Sequence, residues 1–282
     1  MDDYPIQIGK MLFTMVDPHK GQEVAYNRWY ERDHYYAGCM IGEGWFAGSR
    51  WVATRELKDL RFPAESPFAE PVDAGSFLSI YWVLDKQVDT TWAGRQVRWL
   101  YANGRGFDGR THVQTGMYDY LDTAYRDDDG VPVELALDHR YPGLGVVVVE
   151  PAEGVSQDEL RTWLRAEAVP DLLAAPGVDM VADWKLPPPL TPEQLAAMAP
   201  AQSEPGAKPA PGAPGGPSLG APGGSPDRVV QLAFIEGDPR PAWDAFRAYA
   251  KTIEAGGKGT VTFAAPFIKT VVGTDTYVDQ IW

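Results

Sequence analysis

One cysteine, Cys39, occurs in 282 residues. A lone thiol forms no intrachain disulfide and no cysteine-based metal cluster, so packing must hold the fold. Basic residues are also scarce: 25 Lys and Arg stand against 39 Asp and Glu, a formal net charge of −14. Nucleic-acid binding needs Lys and Arg to neutralise phosphates, and an anionic membrane surface attracts the same residues. Neither partner is expected. No apolar run reaches the ~20 residues of a membrane span. The opening Met1-Asp2-Asp3-Tyr4 lacks the basic and apolar regions of a secretory signal, and a cytoplasmic protein is expected. Four scattered histidines without a His-Glu-x-x-His pair make no metal site. Gly104-Arg105-Gly106 follows a helical pattern and precedes a strand, the wrong context for a phosphate loop. Without Cys-x-x-Cys-His, covalent haem attachment is excluded. No organic cofactor is expected.

What is present is 44% hydrophobic residues, enough for a sizeable core, and an element order that occurs twice. Residues 6–16 read as a strand ended by Asp17-Pro18. Residues 20–41 read as a helix with Tyr26, Tyr30, His34, Ala37 and Ile41 at spacings of three and four. Strands follow at 45–54 and Phe77–Leu84, separated by a loop or lid, 55–75, that holds Pro63, Pro67 and Pro71. A helix over 89–103 and a strand over 112–125 complete the first set. The second opens with the strand 143–150. Ser156 and Glu159 then spell a capping box for a helix that carries Leu160, Trp163 and Leu164 and reaches Pro170. Strands at 177–184 and 228–236 flank an insert, 187–227, with 12 of the 25 prolines. It reads as a linker, with a short helix starting at Thr191-Pro192-Glu193. A helix over 241–255 and one or two strands within 267–282 end the chain.

These patterns predict an α+β protein of two tandem ferredoxin-like βαββαβ units, 1–128 and 129–282, the second interrupted by the linker. Each unit makes a four-stranded antiparallel sheet with helices on one face. The bare faces cover each other, giving a barrel whose interior is expected to hold a small molecule.

The stretch Tyr26-Asn27-Arg28-Trp29-Tyr30-Glu31-Arg32-Asp33-His34 resembles the first helix of the dimeric α+β barrel superfamily, and within it looks most like the EthD-like branch. Glu167-Ala168-Val169-Pro170-Asp171-Leu172-Leu173, then Pro176-Gly177, looks like the same segment with Ala168 where the histidine stands. The likeness covers nearly the whole chain outside the insert. It departs in being fused as a pseudo-dimer, and in Tyr35-Tyr36 where many relatives have Leu-Pro after the histidine. The resemblance implies an intramolecular barrel. It leaves the reaction open, since the superfamily includes isomerases, polyketide cyclases, cofactor-free monooxygenases, haem enzymes and proteins without an assigned reaction.

His34 stands on the apolar side of its helix near the C-terminal end, where an imidazole can serve as general acid or base; the bland alternative is a packing histidine. Tyr30 and His112 complete the catalytic candidates. Tyr26, Tyr36, Trp45, Arg50, Trp82, Tyr118 and Tyr120 are the expected substrate contacts, with Tyr118 and Tyr120 on one face of a strand. Arg28, Arg95 and Arg98 are further charges at pocket mouths, and Ala168 marks a silent copy. The resulting expectation is a small-molecule enzyme that moves protons on a hydrophobic aromatic or polycyclic carbonyl compound, as isomerase, cyclase or lyase. The alternatives are a cofactor-free monooxygenase and a non-catalytic protein that binds a hydrophobic metabolite. The chain is expected to be a monomer, as a pseudo-dimer, or a higher homo-oligomer.

Overall fold

Alternation of side-chain size and polarity over Ile8–Pro18 makes the first strand, β1. Met11, Phe13 and Met15 point to one face, and Leu12 and Val16 to the other. The same logic gives β2 (Trp45–Val52), β3 (Phe77–Leu84) and β4 (Arg110–Tyr125) in the first half, and β5 (Gly143–Pro151), β6 (Val178–Lys185), β7 (Val229–Ile235) and β8 (Gly259–Lys269) in the second. The structure, a computed structural model, describes residues 6–85, 92–187 and 223–282. The expected short helix at 191–193, most of the linker and the first part of the 89–103 helix lie outside the described residues.

Among the described residues the eight strands close into one antiparallel barrel, in the order β1-β3-β2-β8-β5-β7-β6-β4. Each half supplies a ferredoxin-like sheet, β4-β1-β3-β2 and β8-β5-β7-β6. The two join edge to edge through β2–β8 and β4–β6. The fold is an intramolecular dimeric α+β barrel.

Helices cover the outer faces. In the first half these are α1 (Glu23–Trp29) and α3 (Trp92–Ala102), while the short α2 (Arg55–Lys58) follows β2 and packs Leu57 into the interior cluster; in the second, they are α4 (Gln157–Trp163), α5 (Val169–Leu173) and α6 (Trp243–Gly256). Ser156 and Glu159 form the reciprocal cap of α4 that the sequence predicts. The single long helix expected over 20–41 is not regular. After Trp29 the chain widens into two π turns, Tyr30–His34 and Tyr36–Met40. In the other half, α4 runs into a π turn at Leu164–Ala168. His34 and Ala168 each close such a turn, and π turns recur at functional positions.

Two further expectations are corrected. The last strand lies at Gly259–Lys269 and not within 267–282. Beyond Lys269 the described residues form no further strand, and the tail is held by single backbone bonds and by side chains: the Thr270 amide donates to the Arg50 carbonyl at 3.1 Å, the Arg55 amide donates to the Gln280 carbonyl at 2.6 Å, Asn27 Nδ2 donates to the Thr274 carbonyl at 2.9 Å and Arg28 pairs with Asp275. Val278 and Ile281 bury against the first half, which gives the tail its strand-like apolar pattern. The loop 55–75 is a plug more than a lid. Phe68 inserts into the barrel end, 5.8 Å from Phe13 and 5.1 Å from Phe263 between ring centroids, and Arg61 ties the loop by donating to the carbonyls of Val72, Ala74 and Gly75.

The barrel interior is filled. All eight strands contribute to one apolar cluster that includes Phe13, Trp51, Trp82, Tyr118, Met180, Trp184, Phe234 and Phe267. Trp82 and Trp184 stack at 4.8 Å, and Trp82 Nε1 donates to the Val133 carbonyl at 3.1 Å. An eight-stranded barrel is just wide enough for side chains to fill it. The expected internal ligand space is therefore occupied by residues counted among its walls.

Candidate functional site

Tyr26, Tyr30 and His34 stack along one side of α1 and its π turn and face the outer surface of the first sheet. The His34 ring, 9% exposed, lies parallel to Trp29 at 4.4 Å and edge-on to Tyr30 at 5.1 Å. Gly38 makes this possible: a Cβ there would stand 2.8 Å from His34 Cε1. Behind Trp29, the guanidinium carbon of Arg110 sits 4.4 Å from its ring centroid. Tyr30 and Tyr81 share a hydroxyl hydrogen bond of 2.9 Å. Arg50 Nη1 donates to Asn27 Oδ1 at 2.9 Å and to Glu31 Oε1 at 3.1 Å. Its guanidinium lies 4.5 Å over the Tyr30 ring.

This layer holds two buried arginines. Arg50 is 3% and Arg110 5% exposed. Arg50 Nε and Nη2 and Arg110 Nη1 have no hydrogen-bond partner. Burial first, then the charge of Arg110, the His112 ring and the charge of Arg50, hold the His34 pKa well below its ordinary value. His34 is a neutral imidazole at physiological pH. Burial also keeps the Tyr30 phenol protonated, a donor and not a phenolate.

His112 belongs to the same layer but is not free to carry protons. Arg110 Nε donates to His112 Nε2 at 3.1 Å. An arginine only donates, so the ring hydrogen is on Nδ1, which meets Thr115 Oγ1 at 2.8 Å. Thr115 in turn meets Thr14 Oγ1 at 2.8 Å. Burial, then Arg110, push the His112 pKa down to about 3. His112 positions Arg110.

Two openings flank the layer. A pocket of about 670 Å³ lies between the β1–α1 turn, the start of β4 and the plug loop; Asp17, Lys20, Phe68, Pro71, His112 and Trp282 are among its lining residues. A shallower one of about 520 Å³ is lined by Arg32, Asp33, Tyr36 and Trp99. His34 borders neither of these two pockets. It lies between residues that do: His112 acts on it from one side, and Asp33 beside it in sequence lines the other.

The structure thus divides the sequence candidates. Tyr26, Tyr30, His34, Trp45, Arg50 and His112 share the outer layer of the first half. Trp82, Tyr118 and Tyr120 lie on the opposite face of the sheet, in or against the barrel interior. Tyr36 is 55% exposed at the shallower pocket. Arg28 pairs with Asp275 on the surface. The sequence reading passed over Arg110. Arg110 stands at the start of a strand and only its burial under Trp29 marks it out.

It also passed over Asp183. This carboxylate is fully buried beneath the helices of the second half. Its Oδ1 accepts from Gln231 Nε2 at 2.9 Å, and Gln231 Oε1 accepts from Tyr249 at 2.8 Å. Oδ2 has no partner, nor do Arg161 Nε and Arg165 Nη1. Burial pushes the Asp183 pKa up to about 6, against the opposing effects of Gln231, Arg165 and Arg161. The signal was visible: an aspartate in the otherwise apolar run Met180-Val181-Ala182-Asp183-Trp184.

No family model matches the sequence, and no curated protein matches it. Among solved structures, the chain is similar to a putative chlorite dismutase, with TM-score 0.51 and 8% identity over 98% of this chain and 100% of that one. It is similar to a mutant chlorite dismutase from Candidatus Nitrospira defluvii, with TM-score 0.51 and 10% identity over 96% and 94%. An anthrone oxidase-like protein aligns over 96% of both chains with TM-score 0.49 and 14% identity. The first two likenesses show the barrel fold.

Proposed function

We propose that the chain is a small-molecule enzyme without an organic cofactor, moving a proton on a hydrophobic aromatic or polycyclic carbonyl compound through the outer layer of its first half. One observation carries the reading: His34 is a neutral, buried imidazole with two incompletely satisfied arginines close by. A neutral imidazole accepts a proton, and fixed positive charge stabilises the enolate that results. In this reading His34 is the base, Arg50 and Arg110 lower the energy of the developing anion, and the Tyr30–Tyr81 hydroxyl pair donates to it. The substrate enters at the 670 Å³ pocket beside His112, with Trp29 yielding to expose His34. Isomerisation, cyclisation and elimination all use this apparatus, and a carbanion meeting oxygen directly is its monooxygenase variant. Tandem duplication, an EthD-like ancestry and a cytoplasmic setting agree with this reading.

A second reading is favoured by the packing. Because His34 borders neither pocket, the same layer serves a non-catalytic protein that binds a hydrophobic metabolite. Deuterium exchange α to the carbonyl of polycyclic aromatic ketones, followed by mass spectrometry, separates the two. The enzyme exchanges the label and His34→Gln slows it by about 10²-fold or more, the scale for losing a general base. Equal exchange rates in wild type and variant leave only the binding protein.

A further inference from the structure

Arg50 is held by two side chains that are themselves held from the other half of the chain. Its Nη1 donates to Asn27 Oδ1 at 2.9 Å and to Glu31 Oε1 at 3.1 Å. Asn27 and Glu31 lie on the run from α1 into the first π turn. Each has a further partner in the tail beyond β8. Glu31 Oε2 accepts from the Gly273 amide at 2.9 Å. Asn27 Nδ2 donates to the Thr274 carbonyl at 2.9 Å and to Asp275 Oδ1 at 3.3 Å. The Thr270 amide and hydroxyl donate to the backbone carbonyl of Arg50 at 3.1 and 3.2 Å. One short stretch, 270–275, thus reaches the backbone of Arg50 and both acceptors of its side chain.

These contacts fix direction as well as place. A carboxamide has one accepting and one donating end. With Nδ2 committed to the tail, Asn27 turns its oxygen to the guanidinium; released, the amide is free to flip and present N–H groups to a cation. Gly273 aims the amide that holds Glu31. Its φ is +83°, a conformation that glycine adopts without strain, and a Cβ there would meet nothing within 4 Å. The position therefore demands a backbone conformation and not a small residue. We infer that residues 270–275 are a positioning clamp for Arg50, through which the second half completes a site in the first. Asn27, Glu31 and Gly273 are its positioning residues, and the half that carries Ala168 is not idle. The inference rests on the proposed reaction only in taking Arg50 as a charge that steadies the developing anion; the placement of the guanidinium stands apart from it.

The test follows the Arg50 side-chain nitrogens by NMR in protein carrying isotope-labelled arginine, and pairs this with the deuterium exchange described above. In the wild type a guanidinium gripped at Nη1 does not turn freely about Nε–Cζ, and Nη1 and Nη2 are expected to give separate signals. Gly273→Val forces a β-branched residue to positive φ. It should pull the amide from Glu31, merge the two signals and slow exchange about tenfold with an unchanged pH profile, less than the ~10²-fold or more that outright loss of such a donor costs. Gly273→Asn tolerates the left-handed region and should keep both the separate signals and the wild-type rate. Separate signals in Gly273→Val overturn the inference whatever happens to the unfolding midpoint, because the tail is then a stabilising contact only. So do merged signals in Gly273→Asn, and so do merged signals in the wild type. If Gly273→Val does not fold, Asp275→Ala, which frees one contact of Asn27, decides by the same signals. Absence of exchange in the wild type removes the proposed reaction and leaves the clamp to the signals. Merged signals in Gly273→Val at an unchanged rate uphold the clamp and remove Arg50 from the reaction.

Discussion

The two halves of the barrel repeat a scaffold and invert its polar centre. In the first half Arg50 faces Ser79 across the β2–β3 ladder; in the second Asp183 faces Gln231 across β6–β7. The second residue of the π turn is Glu31 in one and Arg165 in the other, so a buried guanidinium near a carboxylate is mirrored by a buried carboxylate near a guanidinium. His34 closes one turn and Ala168 the other. Around Ala168 the helices pack Leu160, Leu164 and Leu172 into an apolar layer, whereas Tyr26, Tyr30 and Tyr81 fill the matching space with hydroxyl-bearing rings. The same backbone thus tolerates opposite buried charges, provided each has neutral donors or acceptors and a countercharge nearby.

The two halves also carry opposite pH dependences, and the largest expected effect belongs to the first. His112 is held far below its ordinary value, so the folded state binds fewer protons than the unfolded one below pH ~6.5. Its contribution to stability is present above that pH and is lost as pH falls toward ~3, by up to about 5 kcal/mol. Urea unfolding across this range should show a steep acid limb that His112→Gln flattens. An unchanged limb in that variant would mean that the His112 ring does not govern it.

Asp183 works the other way and on a smaller scale. Its carboxyl pKa is raised, so the folded state binds more protons, and stability falls as pH rises from ~4 through ~6, by about 3 kcal/mol. Asp183→Asn keeps the Gln231 contact and removes the charge. It should stabilise the chain by about that amount at pH ~8 and change little at pH ~4. A loss of stability at alkaline pH would show that Arg161 and Arg165 compensate the buried charge in full, and the contrast between the halves would fail.

The smallest effect lies in the helix starts. Ser156 caps α4 with a reciprocal box, whereas Gln22 before α1 makes no side-chain cap bond. Ser156→Ala should cost about 1 kcal/mol, and Gln22→Ser should gain a fraction of that, both read as shifts in the unfolding midpoint. Equal responses at the two positions would erase the distinction.

Much of the barrel was legible in the sequence because strand periodicity and turn residues are local signals. Phe77–Leu84 and the Ser156 cap needed nothing beyond their own neighbours. The strand at Gly259–Lys269 was missed because its Thr260-Val261-Thr262-Phe263 alternation is short, while Val271, Val272, Val278 and Ile281 offered a competing apolar pattern. Whether an alternating face lines a cavity or fills one depends on side-chain volumes summed over eight strands. Trp51, Trp82 and Trp184 decide that together and none decides it alone. The π turns left no periodic trace, since each adds one residue to a turn. Arg110 was invisible for a related reason: a strand-initial arginine reads as solvated until the helix that covers it is in place.

The two seams that close the barrel are unequal. The β4–β6 ladder runs from Asp119↔Lys185 to Tyr125↔Met180, whereas β2 meets β8 only at Trp51↔Lys269 and Val52↔Ile268. A bridge between Phe62 and Ala264 and a bond from the Thr270 amide to the Arg50 carbonyl extend the shorter join. A hoop with one long weld and one short clasp yields first at the clasp, and here the clasp is fastened to the backbone of Arg50 itself. Any force or fluctuation that loosens the ring is therefore felt first by the strand that carries the buried guanidinium.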